Sequence, residues 1–176
     1  MVGNYLKLTQ EQFGLWAGLS IHDTASAIGA AIDFDQFFNQ DISGWIVSSL
    51  TNMRNMFNNA FSFSQDLSNW DTSNVTNMDT MFNNAASFNQ DIGSWNTYNV
   101  TNMYYMFNGT PFNQNIGNWD VSKVENMQGM FSGWNTSNPE NPFNQDISDW
   151  DVSSVIRMDG MFNQATDFNP VSYTHL

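Results

Sequence analysis

The chain has 176 residues and a formal net charge of −13, with Lys7, Arg54, Lys123 and Arg157 as its only Lys or Arg residues. Such a chain repels phosphate backbones and anionic bilayers, which excludes nucleic-acid binding and membrane-surface classes. It has no cysteine, so disulfides, thiolate metal sites and cysteine nucleophiles are excluded, and its 15% aromatic against 12% charged content is the wrong balance for disorder.

Residues 1–33 fit no repeat. Gln10–Leu19 and Ala25–Ile32 read as helices, and the region is expected to be an N-terminal helical cap or a degenerate first repeat. It has neither the basic nor the apolar region of a signal peptide. No stretch of the chain approaches the ~18 consecutive apolar residues of a membrane span.

Residues 34–170 are built on one unit. Phe-Asn-Gln-Asp-Ile or a close variant begins at Phe38, Phe63, Phe88, Phe112, Phe143 and Phe168. Seven residues after the first five come Trp45, Trp70, Trp95, Trp119 and Trp150. The Trp spacings are 70−45 = 25, 95−70 = 25, 119−95 = 24 and 150−119 = 31. A fixed period in this range marks a solenoid, here of five full repeats plus a partial one. One unit has too few apolar side chains to offset its own ordering entropy, so neighbouring units must bury each other.

Within a unit, Leu67-x-x-Trp70-x-Thr72 and its equivalents have the L-x-x-L-x-L spacing of a leucine-rich repeat, which predicts a strand of about three residues. Val75, Met78, Met81, Phe82 and Ala85 then fall at offsets 0, 3, 6, 7 and 10, which predicts a helix of about three turns with Thr76 as N-cap and Asn83–Asn84 at its end. The expectation is an α/β solenoid with one short parallel strand and one short helix per repeat. Its core would be the Trp residues with Met78, Met81, Phe82, Met103, Met106 and Phe107 and their equivalents. The 131–143 segment is six or seven residues longer than its counterparts, and Pro139 and Pro142 mark a loop bulging from the stack, with Trp134 a local packing aromatic.

Catalytic chemistry is poorly supplied. The two histidines, His22 and His175, lie outside the repeats, and no phosphate loop or His-x-x-x-His motif occurs. An acid repeated in every unit does not make the single asymmetric pair that catalysis uses. The expectation is no enzyme and no cofactor. Two acidic columns recur. Asp41, Asp66, Asp91 and Asp146, interrupted by Asn115, suit turn hydrogen bonding. Asp71, Asp120 and Asp151, with Asn96 in line and Tyr98 beside them, are placed as an outward strip on the sheet face and are the candidate binding residues, with calcium as an alternative ligand.

Residues 171–176 break the pattern and are expected to be a non-native tail, with further repeats following in the natural protein. The unit at Phe143–Phe162, Phe-Asn-Gln-Asp-Ile-Ser-x-Trp-Asp-Val-Ser-x-Val-x-x-Met-x-x-Met-Phe, resembles the BspA-like leucine-rich-repeat surface proteins and a repeat of unknown function found in mycoplasma lipoproteins. The resemblance implies an extracellular or cell-surface protein acting in adhesion, with a protein or surface glycan as partner. It supplies no catalytic residue. A calcium-bridged surface-layer component and an intracellular interaction module are the alternatives.

Overall fold

The computed structural model describes residues 42–133 and 141–169. The expected N-terminal cap, Asp41, Trp134 and the tail lie outside them. The described chain winds into five stacked coils, at 42–66, 67–91, 92–115, 116–133 with 141–146, and 147–169, each placing equivalent residues over those of the coil before.

The coils are not built as the spacing predicts. Among the described residues there is no helix, and no strand beyond single bridged residues. The bridges are parallel and link Asn52 to Asn77, Asn77 to Asn102, Asn102 to Asn126, and Asn126 to Arg157. The leucine-rich-repeat α/β arrangement is therefore overturned, and with it the strand at Trp and the helix at Met.

A chain of tight turns replaces both. In the second coil the N–H of Trp70 donates to Leu67 O, Val75 to Thr72 O, Met81 to Met78 O, Ala85 to Phe82 O and Phe88 to Ala85 O. Each apolar side chain sits at the first or last position of a four-residue turn and points inward. The residues between face outward, with Asp79 the one largely covered among those of the second coil. The inward series 67, 70, 72, 75, 78, 81, 82, 85, 88 thus advances mostly in steps of three, where one turn ends and the next begins, and a 3.6-residue helix does not hold that step beyond a few turns.

Left-handed residues prevent the helix. Asn55, Thr80, Tyr105, Gly129 and Gly160 form one column of positive φ, and Asn59, Asn84, Gly109 and Gln164 a second. Each of the first set is the third residue of a turn, the position where a type II turn needs φ above zero. That conformation sets the central peptide of the turn upright, along the stacking axis. The Asp79 carbonyl accepts from Asn55 N at 3.0 Å, while the Thr80 N–H donates to Tyr104 O at 2.7 Å. Alternate peptides do the same, so Met78, Thr80, Phe82 and Asn84 all donate to the third coil. Thr76 caps no helix; its hydroxyl donates to Thr51 O at 3.0 Å. The inter-coil ladder thus runs where the sequence predicts a helix.

Aromatic columns fill the interior. Phe57, Phe82, Phe107, Phe131 and Phe162 stack at centroid distances of 5.3–5.7 Å. Phe63, Phe88, Phe112, Phe143 and Phe168 form a second column at 5.8–6.4 Å. Within a coil the two columns touch, as at Phe82–Phe88, 3.8 Å. Trp70, Trp95 and Trp119 stack at 6.5 Å. Trp70, Trp95, Trp119 and Trp150 are buried, as are Met78, Met81, Phe82, Met103, Met106 and Phe107, whereas Trp45 is only partly buried. The long 131–143 segment leaves the register intact, because Phe143 still stacks on Phe112 and Asn144 N donates to Asn113 Oδ1 at 2.9 Å.

Candidate binding surface

Three columns of Asp or Asn stand on the outside of the stack, and in each the side chain closes a local turn. Asx residues do this because a short side-chain oxygen reaches the N–H two positions ahead. In the first column Asp66 Oδ1 accepts from Ser68 N at 2.8 Å, Asp91 from Gly93 N at 2.9 Å, Asn115 from Gly117 N at 3.0 Å and Asp146 from Ser148 N at 3.0 Å.

The second column is the candidate strip. Asp71 accepts from Ser73 N at 3.1 Å, Asn96 from Tyr98 N at 3.1 Å, Asp120 from Ser122 N at 3.0 Å and Asp151 from Ser153 N at 3.0 Å. The strip lies on turns and not on a sheet face, since no sheet is present at these residues. All four side chains are exposed, and one carboxylate oxygen of each acid is engaged locally. The Ser73 hydroxyl and amide hold the Asp71 carboxyl below the usual range. The Ser122 hydroxyl and amide do the same for Asp120, and Ser153 for Asp151. The strip therefore stays ionised and fixed in direction. Tyr98 stands half exposed beside it, with the Lys123 ammonium 3.5 Å above its ring centroid. Lys123 also reaches Asn99 Oδ1 at 3.3 Å. Sequence reasoning missed this cation at the edge of an acidic strip. Among the described residues, no group of three or more His, Asp or Glu side chains gathers to hold a metal ion.

The third column, also missed, lies six residues further along each coil (77−71, 102−96 and 126−120). Asn52, Asn77, Asn102 and Asn126 accept from the N–H groups of Arg54, Asp79, Tyr104 and Gln128 at 2.9–3.1 Å. Thr76 and Thr101 run alongside, with hydroxyls donating to Thr51 O and Thr76 O at 3.0 and 3.2 Å. These residues, with Glu125 and Arg157, line an open groove of about 590 Å³ along the stack. The signal was present as a Thr-Asn-Met triplet at fixed register, at 51–53, 76–78 and 101–103. Next to this groove Asp79 is almost buried and paired with Arg54 at 3.1 Å. Burial pushes its carboxyl above the usual range, against the opposing pull of Arg54 and Thr80.

Three curated proteins share a short segment with the chain. They are UPF0324 membrane proteins of Bdellovibrio bacteriovorus, 52% identical over 33 residues, of Geobacter sulfurreducens, 57% over 30, and of Porphyromonas gingivalis, 55% over 29. The match covers 19%, 17% and 16% of this chain and 10%, 10% and 9% of those proteins, so the chain spans about a tenth of the relatives it matches. Among the described residues, no helix is long and apolar enough to cross a membrane. No solved structure matches the chain. A family model described as Mycoplasma protein of unknown function, DUF285, matches residues 26–141 and 135–172, which takes in the repeated units and their turn-forming Asx columns. The chain belongs to the DUF285 family of Mycoplasma-type repeat proteins.

Proposed function

We propose that the chain is a non-enzymatic cell-surface scaffold that binds a protein partner through the strip formed by Asp71, Asn96, Tyr98, Asp120 and Asp151. The observation that carries this reading is the repetition of exposed, turn-locked side chains at one position of successive coils. Such a strip presents Asp, or Asn in one coil, at a regular interval, which suits an extended partner and not a small substrate. Its carboxylates favour basic residues on that partner, and Tyr98 offers a rigid, half-exposed aromatic of the kind that anchors interfaces. Surface location and an adhesive role are what the resemblance to BspA-like surface proteins implies.

The test is binding to immobilised extracellular proteins, with the triple variant Asp71→Asn, Asp120→Asn, Asp151→Asn as comparison. Asn keeps the Oδ1 acceptor that closes each turn and removes the charge, so the fold is retained. Salt-sensitive binding that the variant loses supports the strip. Binding that the variant keeps, while still folded, rejects it.

A further inference from the structure

The groove along Thr76, Asn77, Thr101, Asn102, Glu125 and Asn126 is a second surface, distinct from the acidic strip in residues and in chemistry. Each Asn in it uses Oδ1 to close its own turn. The Nδ2 groups of Asn77, Asn102 and Asn126 make no hydrogen bond to any described residue, and so stand as a row of outward donors. The Thr76 and Thr101 hydroxyls give their protons to the preceding coil, which leaves their oxygens as acceptors. A donor thus recurs in three successive coils and a Thr acceptor in the first two of them, with Glu125 at the Thr position of the third, at an interval of roughly 4.7–4.9 Å where backbones pair side by side.

The chemistry of the groove narrows its ligand. Its charges, Glu125 and Arg157, are one of each sign. A polyanion would also meet the field of a −13 chain. A peptide has little to hold. Added-strand recognition needs free backbone groups, and here Thr76 N, Met78 N, Thr101 N and Met103 N, with Thr76 O, Asn77 O and Asn102 O, are all committed to neighbouring coils. Apolar anchor sites are missing too, since Ile156 at one end is the groove's only large apolar side chain. What remains is a linear molecule whose every unit both donates and accepts without charge. Hydroxyl groups do this, and one sugar ring advances a chain by about the distance between coils.

We propose that this groove binds an extended, uncharged polysaccharide, with the Asn77, Asn102 and Asn126 carboxamides donating to successive sugar hydroxyls and the Thr76 and Thr101 oxygens accepting from them. The proposal goes beyond the protein-binding strip and stands or falls separately from it.

The test is native gel electrophoresis of the chain through gels containing hydroxyethylcellulose, galactomannan or, as a charged comparator, polygalacturonate. The test variant is Asn77→Asp with Asn102→Asp, which keeps the turn-closing oxygen and replaces each Nδ2 donor by an acceptor. The control is Asn69→Asp with Asn118→Asp, which adds the same charge on exposed positions of another column. Retardation by a neutral polysaccharide is expected for the native chain and the control, with affinity about tenfold weaker in the groove variant, as two lost hydrogen bonds imply. Circular dichroism melting confirms that all three are folded. Equal retardation of the groove variant, retardation by polygalacturonate alone, or no retardation in either neutral polymer would overturn the proposal.

Discussion

The indole N–H of Trp95 donates to the carbonyl of Leu67, 28 residues earlier, at 2.9 Å. Trp119 and Trp150 make the same bond to Ile92 and Ile116, both at 3.2 Å. Each Trp is therefore a rivet as well as a packing group, since its ring stacks along the column while its N–H reaches back to the coil behind. Trp95→Ala should destabilise the middle of the stack by roughly 3–5 kcal/mol, through lost burial and the cavity left behind. Trp95→Phe keeps an aromatic in the column and loses the hydrogen bond, so its cost should be clearly smaller. Denaturant titration of both variants checks the order, and equal losses would place the whole effect in the hydrogen bond.

Gly129 stands in the left-handed column with φ +62, and a Cβ there would lie 2.6 Å from the ring of Tyr105. Gly129→Ala should cost roughly 1–2 kcal/mol for the backbone alone, with the ring clash in addition. In a Tyr105→Gly background the clash disappears and only the backbone part should remain. A double-mutant cycle by thermal melting measures the difference. Additive effects would mean that the ring moves aside at no cost.

Asp79 gives a pH signature of definite sign. Its folded carboxyl holds the proton to higher pH than the unfolded value of 3.8, because burial outweighs Arg54. The folded state then binds more protons across that interval, so stability falls as pH rises from 3.8 through the folded pKa. Asp79→Asn should remove this dependence. Its stability relative to the native chain should increase across that interval and level off above it. Asp71, Asp120 and Asp151 act with the opposite sign, since their lowered values contribute stability that is lost as pH falls below 3.8. A constant difference between Asp79→Asn and the native chain at all pH values would show that burial does not perturb this group.

Asp120→Asn should leave stability nearly unchanged, because the amide oxygen can still accept from Ser122 N. Melting with calcium and with chelator should likewise give coincident curves, since each carboxylate of the strip is turned to its own turn. A calcium-dependent rise would instead assign the column to a bridging metal and favour a surface-layer component.

Much of the architecture was legible. The Phe and Trp spacings show the repeat, its length and the 131–143 insertion, because side-chain columns demand identical residues at identical register. Local conformation was not legible, for a reason visible in the second coil. Val75, Met78, Met81, Phe82 and Ala85 fit one face of a helix when taken alone. Extended back to Leu67 and on to Phe88, the same series runs mostly in steps of three broken by short steps at 70–72 and 81–82, which belongs to consecutive turns. The left-handed residues are hidden as well. Thr80 and Tyr105 occupy the position that Asn55 and Gly129 fill, and a Thr or Tyr there gives no local sign of positive φ. At the surface, the two acidic columns were found through their charge. The Asn77, Asn102 and Asn126 column was passed over because its neutral side chains looked like ordinary turn residues, which they also are.

The upright peptides of the turns have an electrostatic outcome. In an ordinary parallel sheet successive amides point to opposite neighbours, and their dipoles nearly cancel. Here the amides that would point backward are closed within their own turns. At each of the first three interfaces four N–H groups, such as those of Met103, Tyr105, Phe107 and Gly109, point toward the following coil, against one, such as Glu125, that points back, and at the fourth the forward set again outnumbers the backward one. The dipoles therefore add along the axis, with the positive end at the fifth coil and the negative end at the first. A helix of the same chain direction would carry the reverse polarity. Each coil added to such a stack lengthens a polar rod whose two ends are electrically unlike, whatever the charges on its sides.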